Sequence, residues 1–353
     1  MVGDGILSAI GHTRMVRLTR AIEKLPFQLY AKLEAYNPGG SIKDRAALSI
    51  ISNALGTGEI QSGTTVIESS SGNMGIGLAQ ACAYFGLPFI CVVDPKTTTQ
   101  NIHILEAYGA EVDVITEPDP ATGEFLPARI QRVETLLRLI PNSYWPDQYS
   151  NIHNARAHHQ TMHEVVTALD GRVDYLFCSA STCGTLRGCA EYIRMNNLGT
   201  KVFAVDAEGS VIFGGSPKKR LIPGHGAAQR PGLYLDGLAE RCIRVSDLDC
   251  VIGCRQLLRR EAIMAGGSSG GGVMAVERVK DEIPQGAICV VLFPDRGERY
   301  LDTIYSDAWV KGHFGDVAHF WRHPVEATTA LHSYSSFHTS VQTEGNTKQT
   351  KIA

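Results

Sequence analysis

The chain has 353 residues, of which 44% are hydrophobic and 20% are charged, and its formal net charge is −3. This length allows two domains with separate cores, and the slightly acidic balance excludes the basic surface typical of nucleic-acid binding. No apolar run reaches transmembrane length, no signal peptide is recognisable, and the nine cysteines contain no Cys-x-x-Cys pair. We therefore expect a cytoplasmic protein with reduced thiols and no membrane contact.

The first informative segment, residues 37–45 (NPGGSIKDR), places a lysine at the start of a helix. Apolar residues at helical spacing and two terminating glycines predict a helix over 44–55, with Ser41 as its N-cap. Unpaired N–H groups and the helix dipole disfavour a cation in the first turn, which predicts a lowered pKa for Lys43. A neutral lysine amine forms Schiff bases with carbonyl compounds, whereas an isolated lysine is usually a solvated surface group.

The second segment, residues 65–75 (TVIESSSGNMG), runs from a short strand through a Ser-Gly-Asn turn into a helix predicted over 73–85. Free N–H groups at such a turn bind anions, and a carboxylate is the commonest small anion. An ordinary strand-to-helix loop explains the segment equally well.

The third segment, residues 175–186 (YLFCSASTCGTL), is a buried-type strand that leads into a helix beginning near Gly184. The small residues at the helix start are suited to a phosphate group. The segment is neither a Walker loop nor a dinucleotide fingerprint, because the required lysine and spaced glycines are absent. A fourth segment, residues 265–272 (AGGSSGGG), allows close backbone approach to a flat ligand.

Strands and helices alternate along most of the chain, which predicts an α/β fold with parallel sheets. Further strands are expected at 27–33, 89–93, 112–115, 202–205 and 289–293, and further helices at 99–108, 126–139, 154–169, 255–264 and 270–282. His159 and His163 share a face of one helix, but no third ligand lies nearby, so we expect no metal site.

Together, these segments resemble the cysteine synthase family of fold-type II pyridoxal phosphate enzymes. The resemblance covers roughly residues 5–310 and includes the opening IGHTRMVRL (10–18) and the late FPDRGERYL (293–301). It implies an enzyme with two three-layer αβα domains, pyridoxal 5′-phosphate as cofactor and a homodimeric assembly. It also implies a large cofactor domain over 1–39 and 151–315 and a small mobile domain over 40–150. We expect the remaining residues, 316–353, to form a flexible tail.

The resemblance also assigns site residues. Lys43 corresponds to the catalytic lysine that bonds the cofactor, Asn73 to the partner of its ring hydroxyl, and Ser268 to the residue facing the pyridine nitrogen. The phosphate loop corresponds to Ser181, Thr182, Cys183, Gly184 and Thr185. The loop that binds the substrate carboxylate corresponds to Ser70, Ser71 and Gly72.

Several departures narrow the expected substrate. Ser181 and Cys183 replace glycines of the family's usual Gly-Thr-Gly-Gly-Thr loop, and Tyr149 replaces a common phenylalanine. Residues 206–224 most resemble one branch, whose members join O-phospho-L-serine to L-glutamate in the biosynthesis of the siderophore staphyloferrin B. Both substrates are anionic, so Arg129 and the basic run 218–220 are candidates to bind them. Arg129, Tyr149 and Ser181 are therefore expected to bind substrate, with Ser181 on the side of the nucleophile.

Three alternatives stay open at this point. One is a cysteine synthase that uses sulfide, and another is a lyase that releases a 2-oxo acid. The third is a cofactor-bound regulatory scaffold without turnover, which the intact Lys43 disfavours.

Overall fold

The computed structural model describes residues 3–121 and 123–322. The strands are β1 (Met15–Leu18), β2 (Gln28–Leu33), β3 (Thr65–Ser69), β4 (Phe89–Val93), β5 (Glu111–Val114), β6 (Ser143–Tyr144), β7 (Tyr175–Ser179), β8 (Lys201–Ala207), β9 (Arg241–Val245) and β10 (Ile288–Phe293). The helices are α1 (Lys43–Thr57), α2 (Asn73–Phe85), α3 (Thr99–Ala107), α4 (Phe125–Leu139), α5 (Ile152–Ala168), α6 (Gly184–Met195), α7 (Asp247–Glu261), α8 (Gly267–Val279) and α9 (Asp307–Phe314).

The strands form two sheets, with the orders β1-β2-β10-β7-β8-β9 and β5-β4-β3-β6. All neighbours are parallel except β1 and β2. The predicted α/β fold with mainly parallel sheets is therefore confirmed. Because β7 and β10 are parallel, the loops that follow them lie at the same edge of their sheet, where ligands bind in such folds.

Helix α1 packs one apolar face into the core around the four-stranded sheet, burying residues such as Ile50 and Ile51. It ends at Gly58, whose φ of 79° suits glycine. The predicted N-cap is wrong by one residue: Ile42 occupies that position, and the Ser41 hydroxyl accepts a hydrogen bond from the Lys43 N–H at 3.2 Å. The serine thus still satisfies one of the unpaired amides at the helix start.

A buried ionic cluster fixes the first turns of α1. Arg45 lies 2.7 Å from carboxylate oxygens of both Glu34 and Glu164, and Lys32 lies 2.6 Å from Glu164. Burial would raise the pKa of Glu164, but hydrogen bonds and charge from Arg45 and Lys32 lower it to about 2. The cluster joins α1 to β2 and α5 and so fixes the segment that carries Lys43.

Two predicted helix boundaries are wrong. Helix α7 begins at Asp247 rather than 255, because Ser246 and Asp249 form a reciprocal capping box in a polar turn that lacks apolar spacing. Helix α8 begins at Gly267 rather than 270, so the glycine-rich run is helical. A Cβ on Gly253 would lie 2.2 Å from the Gly270 carbonyl oxygen, so these glycines allow α7 and α8 to pack closely.

Contacts group Met1–Gly315 as one compact unit, and the described residues that follow it, 316–322, contain a short 3-10 helix at Ala318–Phe320. The four-stranded sheet lies within the predicted small domain, but the domain boundaries stay a prediction. Most of the expected flexible tail lies outside the described residues. Across residues 3–121 and 123–322, no helix combines the length and apolar character needed to cross a membrane.

Candidate active site

The start of α1, the start of α2 and the segment after β10 meet around Lys43. The Ile42 N–H donates to the Pro294 carbonyl at 2.8 Å, and Ser41 forms a β-bridge with Asp295. A Cβ on Gly77 of α2 would lie 3.2 Å from the Lys43 carbonyl oxygen, so α2 packs directly on the lysine backbone. These contacts place Lys43 where three chain segments converge.

The amine of Lys43 lies in a largely enclosed position, although the residue remains partly exposed. Burial lowers its pKa, while the nearby Cys178 and Asp295 oppose the shift with smaller effects. The sequence predicted this direction from the helix start, whereas in the structure desolvation by burial is the cause that lowers the pKa. The result is an amine that loses its proton more readily than a surface lysine, as a nucleophile or base requires.

Asp295 is a central residue of the site that the sequence reasoning quoted but gave no role. Its carboxylate accepts hydrogen bonds from the Asn73 side-chain amide at 2.8 Å and from the Tyr300 hydroxyl. Burial raises the pKa of Asp295, against the lowering effect of these donors. The carboxylate thus fixes the orientation of Asn73 close to Lys43.

The loop over 181–185 forms a compact cradle at the start of α6. Cys183 has a φ of 65°, a left-handed conformation that is uncommon outside glycine and asparagine, and it occupies the N-cap. The Thr182 hydroxyl accepts a hydrogen bond from Asn154 at 3.2 Å, and the Ser181 hydroxyl donates to the Gly226 carbonyl at 3.4 Å. Gly184 leaves no room for a side chain, because its Cβ would lie 2.2 Å from Asn154 Oδ1.

His158 contacts this cradle through Thr185, which its sequence pattern did not indicate. Its Nε2 lies 3.2 Å from the Thr185 hydroxyl and its Nδ1 lies 3.1 Å from the Thr161 hydroxyl. Burial, together with the charge of Lys43, lowers the pKa of His158 well below its usual range, so it is neutral at pH 7. The neighbouring His159 and His163 instead contact Glu191 and Tyr192 of α6. Within the described residues, no cluster of His, Cys, Asp or Glu could hold a metal ion.

The residues of this cradle fit pyridoxal phosphate. The first amides of α6 lack intrahelical partners, and the dipole at a helix start favours an anion such as the phosphate group. The amine of Lys43, a group that can react with an aldehyde, lies within electrostatic reach of Cys183 in the cradle. Ser268 lies in the first turn of α8, where its carbonyl accepts a hydrogen bond from the Ser179 hydroxyl at 3.0 Å.

The predicted carboxylate loop lies between β3 and α2. The Ser70 hydroxyl accepts a hydrogen bond from the Gly75 N–H at 2.9 Å, and so stabilises the start of α2. Asn101 donates to the Ser71 carbonyl at 3.0 Å, while Gly72 is the N-cap of α2. The loop is thereby fixed beside Asn73, at a helix start that is suited to a carboxylate.

Arg129 is buried with unused hydrogen-bonding capacity. Its Nε lies 3.3 Å from Asp94, but neither Nε nor Nη1 has a hydrogen-bond partner among the described residues. Tyr149 lies within electrostatic reach of Arg129 and also of Arg220; burial raises its pKa, which both cations oppose. A buried guanidinium with unpaired N–H groups is costly, which indicates a place for an anionic ligand.

Glu68, at the end of β3, is a residue that sequence reasoning missed. Its carboxylate accepts hydrogen bonds from the N–H groups of Ser69 at 2.8 Å and Gln148 at 3.2 Å and from the Trp145 indole at 3.3 Å. Burial raises its pKa to about 7, against these donors. Glu68 therefore ties the segment that carries Tyr149 to the carboxylate loop.

The chain is similar to known proteins over most of its length. The family model described as "Pyridoxal-phosphate dependent enzyme" matches residues 6–295. The chain is 44% identical, over 88% of its own length and 92% of the other protein, to N-(2-amino-2-carboxyethyl)-L-glutamate synthase of Ralstonia nicotianae.

Solved structures show the same fold. Cysteine synthase of Entamoeba histolytica matches with a TM-score of 0.81 and 32% identity, over 86% of this chain and 91% of that one. The O-acetylserine-dependent cystathionine β-synthase of Helicobacter pylori matches with a TM-score of 0.80 and 31% identity, over 87% of this chain and 100% of that one.

Proposed function

The chain belongs to the pyridoxal-phosphate dependent enzyme family, and on that premise we propose that it joins O-phospho-L-serine to L-glutamate. The product is N-(2-amino-2-carboxyethyl)-L-glutamate, and phosphate is released. In this β-replacement, the β-carbon of phosphoserine loses its C–O bond to phosphate and gains a C–N bond to the amine of glutamate. The glutamate amine gives up a proton, so atoms and charge balance. The 44% identical relative from Ralstonia nicotianae bears the name of this reaction.

The cofactor of the family is pyridoxal phosphate, which supplies an electron sink for the substrate α-carbon when it is bound. We assign Lys43 to its aldehyde, Ser181, Thr182, Cys183, Gly184 and Thr185 to its phosphate, and Asn73 and Ser268 to its ring. Asp295 fixes the orientation of the Asn73 amide.

The remaining residues act on the substrates. Lys43, whose pKa burial lowers, takes the α-proton of phosphoserine and returns it after the glutamate amine has bonded. Ser70, Ser71 and Gly72 bind the carboxylate of phosphoserine at the start of α2. Arg129 and Tyr149 bind the incoming glutamate, with Ser181 on the cradle side.

The observation that carries the choice of glutamate is Arg129. It is buried, and two of its N–H donors lack partners among the described residues. A carboxylate offers two acceptor oxygens to such a guanidinium, whereas sulfide offers a single atom. Tyr149 adds a hydroxyl that can donate or accept a hydrogen bond.

Product analysis by mass spectrometry tests this proposal. Purified holoenzyme is incubated with O-phosphoserine plus glutamate, or with O-phosphoserine plus sulfide. We expect the glutamate adduct and an equal amount of phosphate. Cysteine without any adduct would identify a cysteine synthase instead, and a bound cofactor without either product would favour a regulatory scaffold.

A Ser181→Gly variant separates the two halves of the reaction. Because Ser181 is assigned to the glutamate side, we expect its KM for glutamate to rise more than its rate of phosphate release falls. Equal losses in both would place Ser181 on the cofactor side alone.

The same proposal includes the location of the protein, its assembly, its biosynthetic role and its domain closure. We propose a cytoplasmic homodimer that serves siderophore biosynthesis, with a small domain over 40–150 that closes on the substrate carboxylate. Light scattering at the mass of a monomer would contradict the dimer.

A further inference from the structure

Glu68 is a fully buried carboxyl group near the end of β3, two residues before the first residue of the loop that we assign to the substrate carboxylate. Its Oε1 accepts a hydrogen bond from the Ser69 N–H at 2.8 Å, and its Oε2 accepts one from the Gln148 N–H at 3.2 Å. Glu68 and Gln148 are 80 positions apart in the chain. One carboxyl group therefore joins the carboxylate loop to the segment that carries Tyr149.

Gln148 is also held from two other sides. Its carbonyl accepts a hydrogen bond from the Asn154 side chain at 2.7 Å, and its own side-chain amide donates to the Ser69 carbonyl at 3.2 Å. Asn154 donates as well to the Thr182 hydroxyl of the cradle, at 3.2 Å. Glu68 thus belongs to a continuous series of hydrogen bonds that runs from the carboxylate loop to the cradle.

The two protonation states of Glu68 hold these segments differently. The ionised carboxylate accepts on both oxygens, from the N–H groups of Ser69 and Gln148 and from the Trp145 indole at 3.3 Å. A protonated carboxyl group carries a hydrogen on one oxygen, and because these three groups are all donors, one of the hydrogen bonds must weaken. Hydrogen bonds to an ionised acceptor are also the stronger kind. The ionised form therefore holds the two segments more firmly.

Burial raises the pKa of Glu68 to about 7, so both forms are populated near neutral pH. The other titratable or charged side chains around it are Cys91 of β4, Arg129 of α4, Tyr144 of β6, and Asp147 and Tyr149 of the segment after β6. Burial raises the pKa of Cys91 to about 12 and raises the pKa values of both tyrosines, so these three keep their protons between pH 5.5 and 8.5. Replacing Glu68 alone then isolates its own transition from those of its neighbours.

We propose that Glu68 is a positioning residue for substrate binding, whose ionised carboxylate holds the loop over 70–72 and the segment over 148–149 in the arrangement that receives an amino acid. The role rests on the function proposed above, because it uses the assignment of that loop to the substrate carboxylate. Glu68 acts through the main-chain N–H groups of Ser69 and Gln148. The affinity for an amino acid should therefore depend on the charge of Glu68.

The test uses the holoenzyme of the parent, of E68Q and of the control E106Q, whose glutamate is exposed on α3. Steady-state kinetics at saturating glutamate gives KM and kcat for O-phosphoserine. Absorbance titration of the bound cofactor gives Kd for L-alanine, which has the carboxylate but no leaving group. Both are measured from pH 5.5 to 8.5. The ratio of E68Q to the parent cancels the titration of the ligand itself, because both proteins bind the same ligand.

We expect KM for O-phosphoserine and Kd for L-alanine to be about tenfold higher in E68Q than in the parent at pH 8.5, as for a lost hydrogen bond to a charged group. At pH 5.5 the ratio should be below about threefold, because protonated glutamate and glutamine are both uncharged and similar in shape. The ratio should rise with a midpoint near pH 7. We expect kcat and the Kd for pyridoxal phosphate to change less than about threefold, and E106Q to match the parent at every pH.

A second variant, W145F, keeps the carboxylate and gives a test that does not depend on the folding of E68Q. The indole hydrogen bond lowers the pKa of Glu68, so its removal should move the transition to a higher pH. The ratio of Kd for L-alanine in W145F to that in the parent should therefore pass through a maximum between pH 7 and 8. A ratio that is the same at all pH values would contradict the proposal.

Two results with E68Q would overturn the assignment. A ratio that is constant with pH would leave Glu68 with a structural role only. A ratio that falls as the pH rises would show that its negative charge repels the substrate instead of organising the site. If the parent forms no glutamate adduct, the proposed function fails, but Kd for L-alanine still decides whether Glu68 positions the carboxylate loop.

Discussion

Gly184→Ala tests the cradle at the start of α6. The added Cβ would lie 2.2 Å from Oδ1 and 2.5 Å from Cγ of Asn154, which is fully buried. Asn154 must move by about 1 Å, and its hydrogen bonds to the Gln148 carbonyl at 2.7 Å and the Thr182 hydroxyl at 3.2 Å would be lost. The cradle residue Thr182 would then lose its fixed orientation.

Three contributions determine how much Gly184→Ala lowers the free energy of unfolding. Overpacking costs about 1–3 kcal/mol, and two lost hydrogen bonds cost about 1 kcal/mol each. Alanine recovers about 1 kcal/mol through its better helix propensity. We therefore expect the free energy of unfolding to fall by about 2–4 kcal/mol and the Kd for pyridoxal phosphate to rise at least tenfold.

Urea denaturation of the apoprotein measures the loss of unfolding free energy. Absorbance titration with pyridoxal phosphate measures the rise in Kd. Gly312→Ala is the matched control, because Gly312 is also helical and its Cβ would meet no described atom within 4 Å. This control should bind the cofactor normally and be slightly more stable. Identical stability and affinity in the two variants would refute the reasoning.

Three further predictions concern the lysine, the ionic cluster and a buried carboxyl group. Lys43→Ala should lose the visible absorbance of the protein–cofactor bond and the ability to be fixed to the cofactor by borohydride, whereas the exposed Lys311→Ala should keep both. Survival of the band would remove Lys43 from its role. Arg45→Met should lower the free energy of unfolding by about 3–5 kcal/mol, because it leaves the buried carboxylates of Glu34 and Glu164 without their shared partner. Arg132→Met, which breaks a more exposed pair with Asp113, should cost less than about 1 kcal/mol in the same urea titration, and equal losses would contradict the argument. Glu68 has a pKa of about 7 in the folded protein against 4.5 as its ordinary value, so the folded state holds a proton that the unfolded state releases between these values. Its contribution to stability is complete below pH 4.5 and falls by about 3 kcal/mol as the pH rises to 7. In Glu68→Gln, denaturation at a series of pH values should show a flatter decline, and an unchanged decline would contradict this.

The sequence predicted most helices and strands because their apolar residues recur at regular spacing, as Ile50 and Ile51 do in α1. It missed the start of α7, where a capping box rather than apolar spacing begins the helix. It also began α8 at 270 rather than at Gly267, because glycine is a poor helix former and the close packing of α7 on α8 at Gly253 and Gly270 is a tertiary contact.

Local sequence patterns were also insufficient to predict the tertiary contacts of the candidate active site. Lys43 and the 181–185 loop are local patterns at helix starts, so residue types and spacing were enough to identify them. Asp295 and His158 act through Asn73 and Thr185, which are more than 20 positions away, and no local pattern reveals such contacts. The histidine in particular has the pattern of a surface helix residue but lies buried under the cradle.

Because Asp295 comes late in the chain, the candidate site is completed only near the end of synthesis. Asn73 and Tyr300 both donate to it, and Ser41 bridges to its backbone, so segments from both ends of the chain meet there. A nascent chain released by the ribosome before residue 295 therefore has the lysine but lacks the carboxylate that orients Asn73. Such fragments could retain an apolar core and still have an incomplete catalytic centre.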